Sequence, residues 1–277
     1  MQFHRVDPQQ DLAQLRAFLT DSDPRDYLLD EMEEWTRDGR LWAGTEGGVW
    51  VAFGRVHDLG SGEAWVSGLR VALPHRGQGM GNQLLNGLLA DARSVGLSEY
   101  RAVIEDENLR SRALFARNGF RPVVEMTLRR GSSRPGGSDL LRRARSGDRL
   151  GGPVGWIPAA TGRVDLVPGP DAGRFGRWDP RVVARWVDES KLYLAPGMAV
   201  AVQADWLTRP RTLWANPLTG DPEELLPAIG SLANRLGQEE WQAFLPSTEP
   251  LRRLYADQGL HPHPAWGDRI HLYERID

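Results

Sequence analysis

Val71-Ala72-Leu73-Pro74-His75-Arg76-Gly77-Gln78-Gly79-Met80-Gly81-Asn82 is the stretch on which the reading of this chain turns. Before it, Glu63–Val71 reads as a strand. After it, Met80, Leu84, Leu85, Leu88, Leu89, Ala92 and Val95 recur at helical spacing until Gly96 stops them. A strand therefore runs into a glycine-rich turn, and the turn into a helix. Glycine lets the backbone aim several N–H groups at one point. The helix start adds unpaired N–H groups and a partial positive charge. Together these make a receptor for a phosphate or pyrophosphate, and Arg76 adds a planar donor fork.

Other phosphate loops fit less well. The spacing is Gly-x-Gly-x-Gly, not the Gly-x-Gly-x-x-Gly of a dinucleotide turn, although Glu105 or Asp106 mimics the acid that follows the next strand in such a fold. Pro74-His75-Arg76 also intervenes where that turn is tight and uncharged. A nucleoside-triphosphate loop needs Gly-Lys-Ser/Thr, which is absent. A glycine turn without a ligand is the bland alternative. It leaves unexplained why three glycines crowd a helix start beside an arginine.

Outward from the loop, the chain repeats itself. Asp23-Pro24-Arg25 opens a helix in the first half and Asp179-Pro180-Arg181 does so in the second. Asp7-Pro8 also reads as a helix start. A hairpin over Leu41–Val56 recurs at Leu192–Gln203, and the closing Gly119-Phe120 recurs as Gly259-Leu260. The offset between matched points falls from 156 residues at the Asp-Pro-Arg sites to 140 at the final glycines. The second copy is thus shorter, mostly where the first carries its glycine loop. Residues 1–130 and 163–277 read as two domains. Residues 131–162, rich in Gly, Arg and Pro, read as a linker, with Asp139–Ser146 suited to one or two helical turns. The basic run Arg142-Arg143-Ala144-Arg145 reads as a solvated face.

Composition excludes several classes. The 277 residues include no cysteine, so disulfides, thiolate metal sites and acyl-cysteine intermediates are absent. A net charge of −3 gives no electrostatic footprint for nucleic acid. No apolar run is long enough to cross a bilayer, and no signal segment is evident, so a soluble cytoplasmic protein is expected.

Arg76-Gly77-Gln78-Gly79-Met80-Gly81 resembles the Arg/Gln-x-x-Gly-x-Gly/Ala loop of the GNAT superfamily of N-acetyltransferases. Leu69-Arg70-Val71 before it and Asn108, Phe115 and Gly119-Phe120 after it are similar to that family's flanking elements. The resemblance is specific over residues 63–121, extends to 1–128 by element order, and is weak over 163–277. It implies an α/β fold of two tandem GNAT-like domains, each a splayed mixed sheet flanked by helices, the second degenerate and without a phosphate loop. It implies acetyl-CoA as co-substrate and no metal, with the pyrophosphate on amides from Gln78 through Gly79, Met80 and Gly81 to Asn82. Leu69 and Val71 would offer backbone bonds to the pantetheine arm, the amide near Leu69 or Arg70 would polarise the thioester carbonyl, and Asn108 would sit near the sulfur.

The chemistry expected is direct transfer of an acyl group to an amine of a small molecule or peptide. Such a site works mainly by positioning and by a donor for the developing oxyanion. Glu63 is the candidate base, acting through water, with Asp58 as its alternative. Many family members carry a leaving-group tyrosine four residues before the closing glycine. That position is Phe115 here and Tyr255 in the second copy, where packing is its expected role. Asp21, Asp23, Asp26, Asp30, Glu31, Glu33 and Glu34 border the acceptor side in the family; a solvated acidic helix is favoured over a pocket for a cation. His261-x-His263 lacks a third ligand and reads as packing or surface. The 11 tryptophans are expected mostly in cores or between domains. An oligomer is compatible with the sequence. The rival from another class is a catalytically inactive acyl-CoA-binding or scaffold protein; an NAD(P)-binding oxidoreductase is the third reading.

Overall fold

Asp-Pro pairs set the helix starts of the second half as the sequence implies. Asp179 accepts the Arg181 amide at 2.8 Å and leads α5 (Pro180–Asp188); Asp221 accepts the Glu223 amide at 2.8 Å and leads α6 (Pro222–Arg235). In the first half the helices begin later. Asp7 donates its N–H to Asp11, and α1 spans Leu12–Ser22; Asp26 accepts the Leu28 amide, and α2 spans Leu28–Arg37. The computed structural model describes residues 2–277 except 8–9, 25, 27, 38–39, 138, 149, 151–165, 171–173, 206–210 and 265.

Packing divides the chain into two units. The first is Met1–Val103 with Leu109–Arg121 and Tyr273–Asp277; the second is Ile104–Asn108 with Pro122–Leu272. In the first, the strands lie in the order β1 (Gln2–Arg5), β2 (Leu41–Glu46), β3 (Val49–Gly60), β4 (Glu63–Val71), β5 (Glu99–Glu105) and the end of β15 (Ile270–Ile276). Neighbours up to β4 are antiparallel and β4–β5 is parallel, so the sheet is mixed. Helices α1 and α2 bury Leu15, Phe18, Leu19, Leu28, Met32 and Trp35 against Phe53 and Trp50. α3 (Met80–Ser94) lies on the other face, where Leu84 and Leu88 close over Gly54, and α4 (Leu109–Arg117) follows β5.

The second unit repeats this plan. Its strands are ordered β6 (Arg121–Ser132), β13 (Glu240–Pro246), β12 (Thr212–Thr219), β11 (Met198–Asp205), β10 (Leu192–Ala195) and β7 (Arg142–Arg143); β14 (His261–Pro262) pairs β6. α6 packs Leu225, Ile229 and Leu232 on the sheet, and α7 (Glu249–Asp257) contributes Tyr255. A hairpin of β8 (Leu166–Pro168) and β9 (Phe175–Arg177) completes the unit.

This partition differs from the expected one. The strand after α4, β6, packs in the second unit, and the chain's last five residues pack in the first. Residues expected as linker are structured wherever they are described. Gly131 and Ser132 continue β6 opposite Trp241 and Glu240, and Leu141 is buried. The helical turns expected over Asp139–Ser146 are instead the edge strand β7 and a turn. Asp148 accepts two bonds from Arg142 and one from the Arg145 amide, which closes a loop that a helix would open.

Candidate functional site

The site begins at a strand irregularity. Phe53 pairs Arg70 but Arg55 pairs Ser67, so β4 carries one extra residue around Gly68–Leu69. Gly68 has φ +64°, and a Cβ there would stand 2.4 Å from the Trp35 ring, so only glycine permits this approach of α2 to the bulge. Above the bulge the strand's phase is fixed: the Ala72 amide donates to Val51 at 2.9 Å. Ala72 and Arg70 therefore face β3, and the backbone groups of Leu69 and Val71 face the other way.

On that other side the sheet splays. The β4–β5 register covers only Glu63–Trp65 against Glu99–Arg101, and Ser67–Val71 are half-buried beyond it. The closed end of the V is held by Arg101, fully buried, which binds Glu63, Glu99 at 3.0 Å and Glu274 at 3.0 Å. The Leu69 and Val71 N–H groups face this open end. The Val71 carbonyl accepts Arg76 Nε at 2.9 Å and the Leu69 carbonyl accepts Arg70 Nη1 at 3.3 Å.

Past Val71, a single 3₁₀ turn over Leu73–His75 leads to Arg76, then to Gly77 at φ +80° and Gly79 at φ +82°. Neither glycine has an atom within 4 Å of where a Cβ would stand. Gly79 caps α3 in the left-handed conformation with no side-chain bond, and the first turn, Met80-Gly81-Asn82-Gln83, carries no acid. The Asn82 and Gln83 amides are both bonded to the Gly79 carbonyl, at 3.0 and 3.1 Å. The N–H groups left for an anion are thus those just before them. Arg76, Gln78 and Asn82 are exposed around the turn. Gly81 packs tightly, its Cβ position 3.4 Å from Leu114 of α4. This arrangement fits a pyrophosphate.

Several expected residues stand elsewhere. Glu63 is 4% exposed and held by Arg101. It lies six residues along the strand from Leu69, about 20 Å at ~3.3 Å per residue. It braces the closed end of the V and does not reach a group at Leu69 as a base. Asp58, opposite Ala64, shares that end and accepts the Gly60 amide at 2.8 Å. The Arg70 side chain turns to buried Asp26 in two bonds of 2.6 and 3.1 Å, so Arg70 contributes backbone alone. Phe115 is 4% exposed and packs edge-on against Phe120, 4.8 Å between centroids; Met80 is also buried. Asn108, in the turn after β5, donates its N–H to Glu105 and packs with the second unit.

Of the acidic stretch, Asp26 is an internal anchor. Asp21 instead lines a cleft of about 630 Å³ with Phe18, Val49, Trp50, Leu73 and His75. Sequence reasoning missed the Asp26–Arg70 pair, 44 residues apart, for which no local pattern exists. In the second unit Tyr255 is fully buried, donates to the Pro246 carbonyl at 3.1 Å, and has its phenol pushed above the usual range by burial. Among the described residues no group of three His, Asp or Glu side chains could hold a metal, and no helix is long and apolar enough to cross a membrane.

A mixed sheet splayed beside an uncapped glycine turn gives this chain an α/β fold of the kind found in solved acetyltransferase structures. Comparison with known proteins agrees. Residues 10–120 match the model of the acetyltransferase (GNAT) family. The mycothiol acetyltransferase of Beutenbergia cavernae is 30% identical over 106 residues, 36% of this chain and 34% of that protein, so the match spans about a third of the relative's length. Among solved structures, a candidate acetyltransferase from Thermoplasma acidophilum is similar over 100% of both chains at 16% identity, with a TM-score of 0.68. A tandem GNAT protein from the clavulanic acid biosynthesis pathway is similar over 99% of this chain and 98% of its own at 14% identity, with a TM-score of 0.59. At these identities the likeness is one of fold.

Proposed function

We propose that the first unit binds acetyl-CoA and transfers its acetyl group directly to an amine. The observation that carries this reading is the uncapped, acid-free start of α3 opening onto the free edge of β4. Gln78 to Gly81 and Arg76 would hold the pyrophosphate, the Leu69 and Val71 amides the pantetheine arm, and the bulged backbone near Leu69–Arg70 the thioester oxygen. The coenzyme supplies an activated acyl carbon. The chain supplies alignment and N–H donors for the charge that develops on that oxygen. With Glu63 and Asp58 committed to the closed end, no side chain of this set takes the amine's proton, and it leaves to water. The acceptor would approach on the face of α1 and α2.

The test is acetyl-CoA turnover against a panel of small amines and peptides, followed by thiol release. Acceptor-dependent thiol release supports the transferase. Tight acetyl-CoA binding with no release on any acceptor would instead favour an inactive binding or scaffold protein, the reading that Phe115 in place of a tyrosine keeps in play.

A further inference from the structure

Asn118, in the turn that closes α4, is 7% exposed. Its side-chain NH₂ donates to two acceptors, the Leu114 carbonyl at 2.8 Å and Asn82 Oδ1 at 2.8 Å. A backbone carbonyl only accepts, so Leu114 dictates which end of the Asn118 amide faces it. That same NH₂ then requires an oxygen from Asn82, and the NH₂ of Asn82 is presented away from Asn118. Asn82 is exposed in the first turn of α3, and its backbone N–H is already bonded to Gly79. An anion at this helix start can therefore meet Asn82 only through its side chain. Asn118 is itself fixed from the far end of the chain, because Arg275 donates to its carbonyl at 2.7 Å.

We propose that Asn118 is a positioning residue for the coenzyme phosphates: it orients Asn82 so that the Asn82 amide presents donors, not an oxygen, to the anion. This rests on the coenzyme reading above. Replacing Asn118 by Asp puts an oxygen where the NH₂ was. Asn82 then turns its own NH₂ inward and its oxygen toward the phosphates.

The experiment is calorimetric titration of acetyl-CoA into wild type, Asn118→Asp, Asn82→Ala and the double variant, with melting temperatures alongside. The expected result is a loss of about tenfold or more in affinity for each single variant, with the double variant within twofold of Asn82→Ala. A merely structural role would add its loss on top of Asn82→Ala. Such additivity, or Asn118→Asp within twofold of wild type, overturns the proposal and leaves the coenzyme reading standing. If Asn118→Asp does not fold, wild-type affinity in Asn82→Ala, an exposed position, overturns it alone. Wild type that does not bind acetyl-CoA overturns both.

Discussion

The helices that follow the two central strands begin in opposite ways. Between β4 and α3 lie residues 72–79, and α3 starts on Gly79 with no side-chain cap and no acid in its first turn. Between β12 and α6 lie only Gly220 and Asp221. There Asp221 caps the helix, Pro222 removes one N–H, and Glu223 and Glu224 meet the positive end of the dipole. The second helix start is thus completed by its own chain, whereas the first has neither a side-chain cap nor an acid in its first turn. The strands differ likewise. β12–β13 also pair over only three residues, Thr212–Trp214, but fully buried Asn216 spans the gap. It accepts the Phe244 amide at 3.3 Å and donates to Gly169 at 2.8 Å, and Trp214 stacks on Phe244. By register, Ser67 holds the matching place in the first unit, and it is half-buried. A repeated sheet plan can therefore carry a helix start and a strand edge that side chains fill in one unit and not in the other.

The contrast can be broken at graded cost. Arg101→Ala strands Glu63, Glu99 and Glu274 without their cation, and removing one partner of a buried ion pair costs about 3–5 kcal/mol. Chemical denaturation should show the first unit unfolding early, with acetyl-CoA binding lost; unchanged stability would mean that Arg101 does not hold the V. The cation of the second unit comes from Arg130, which binds Glu240 at 2.6 Å on a half-exposed pair, so Arg130→Ala should cost far less. Asn216→Ala should cost about 1–3 kcal/mol, through two lost buried bonds, and leave acetyl-CoA affinity unchanged. A change in affinity would bring the second unit into the coenzyme site. Asp221→Ala should cost ~1 kcal/mol as a lost cap, again without effect on affinity.

The smallest effect is a pH dependence. Burial, then nearby Arg130, lowers the His263 imidazole from 6.5 to about 4. The unfolded chain then binds the extra proton between these values. His263 thus favours the folded state fully above pH 6.5, and that contribution is lost as pH falls toward 4, with a slope of at most ~1.4 kcal/mol per unit. Melting curves of His263→Gln should be flatter with pH over that window than those of wild type; parallel curves would place His263 in water.

Much of this was legible in the residues. The glycine loop, the repeat and the Asp-Pro starts of α5 and α6 are local signals, and each lies where spacing puts it. What stayed hidden is long-range. Arg142–Arg143 is too short a strand to show alternation, so a helix was the natural expectation there. Glu63 reads as a candidate base at the start of its strand until Arg101 and Glu274, 38 residues and more away, are brought to it. The exchange of β6 and the end of β15 between units leaves no mark on composition, because either strand satisfies the same alternation.

The most direct test of the account is calorimetric titration of acetyl-CoA into wild type and Gly79→Glu. Glutamate there must adopt φ near +82° and brings a charge to the helix start. The account predicts one micromolar site per chain in the wild type and none in the variant, with the fold of both intact by circular dichroism. No binding by wild type, two sites per chain, or undiminished binding by Gly79→Glu would contradict it.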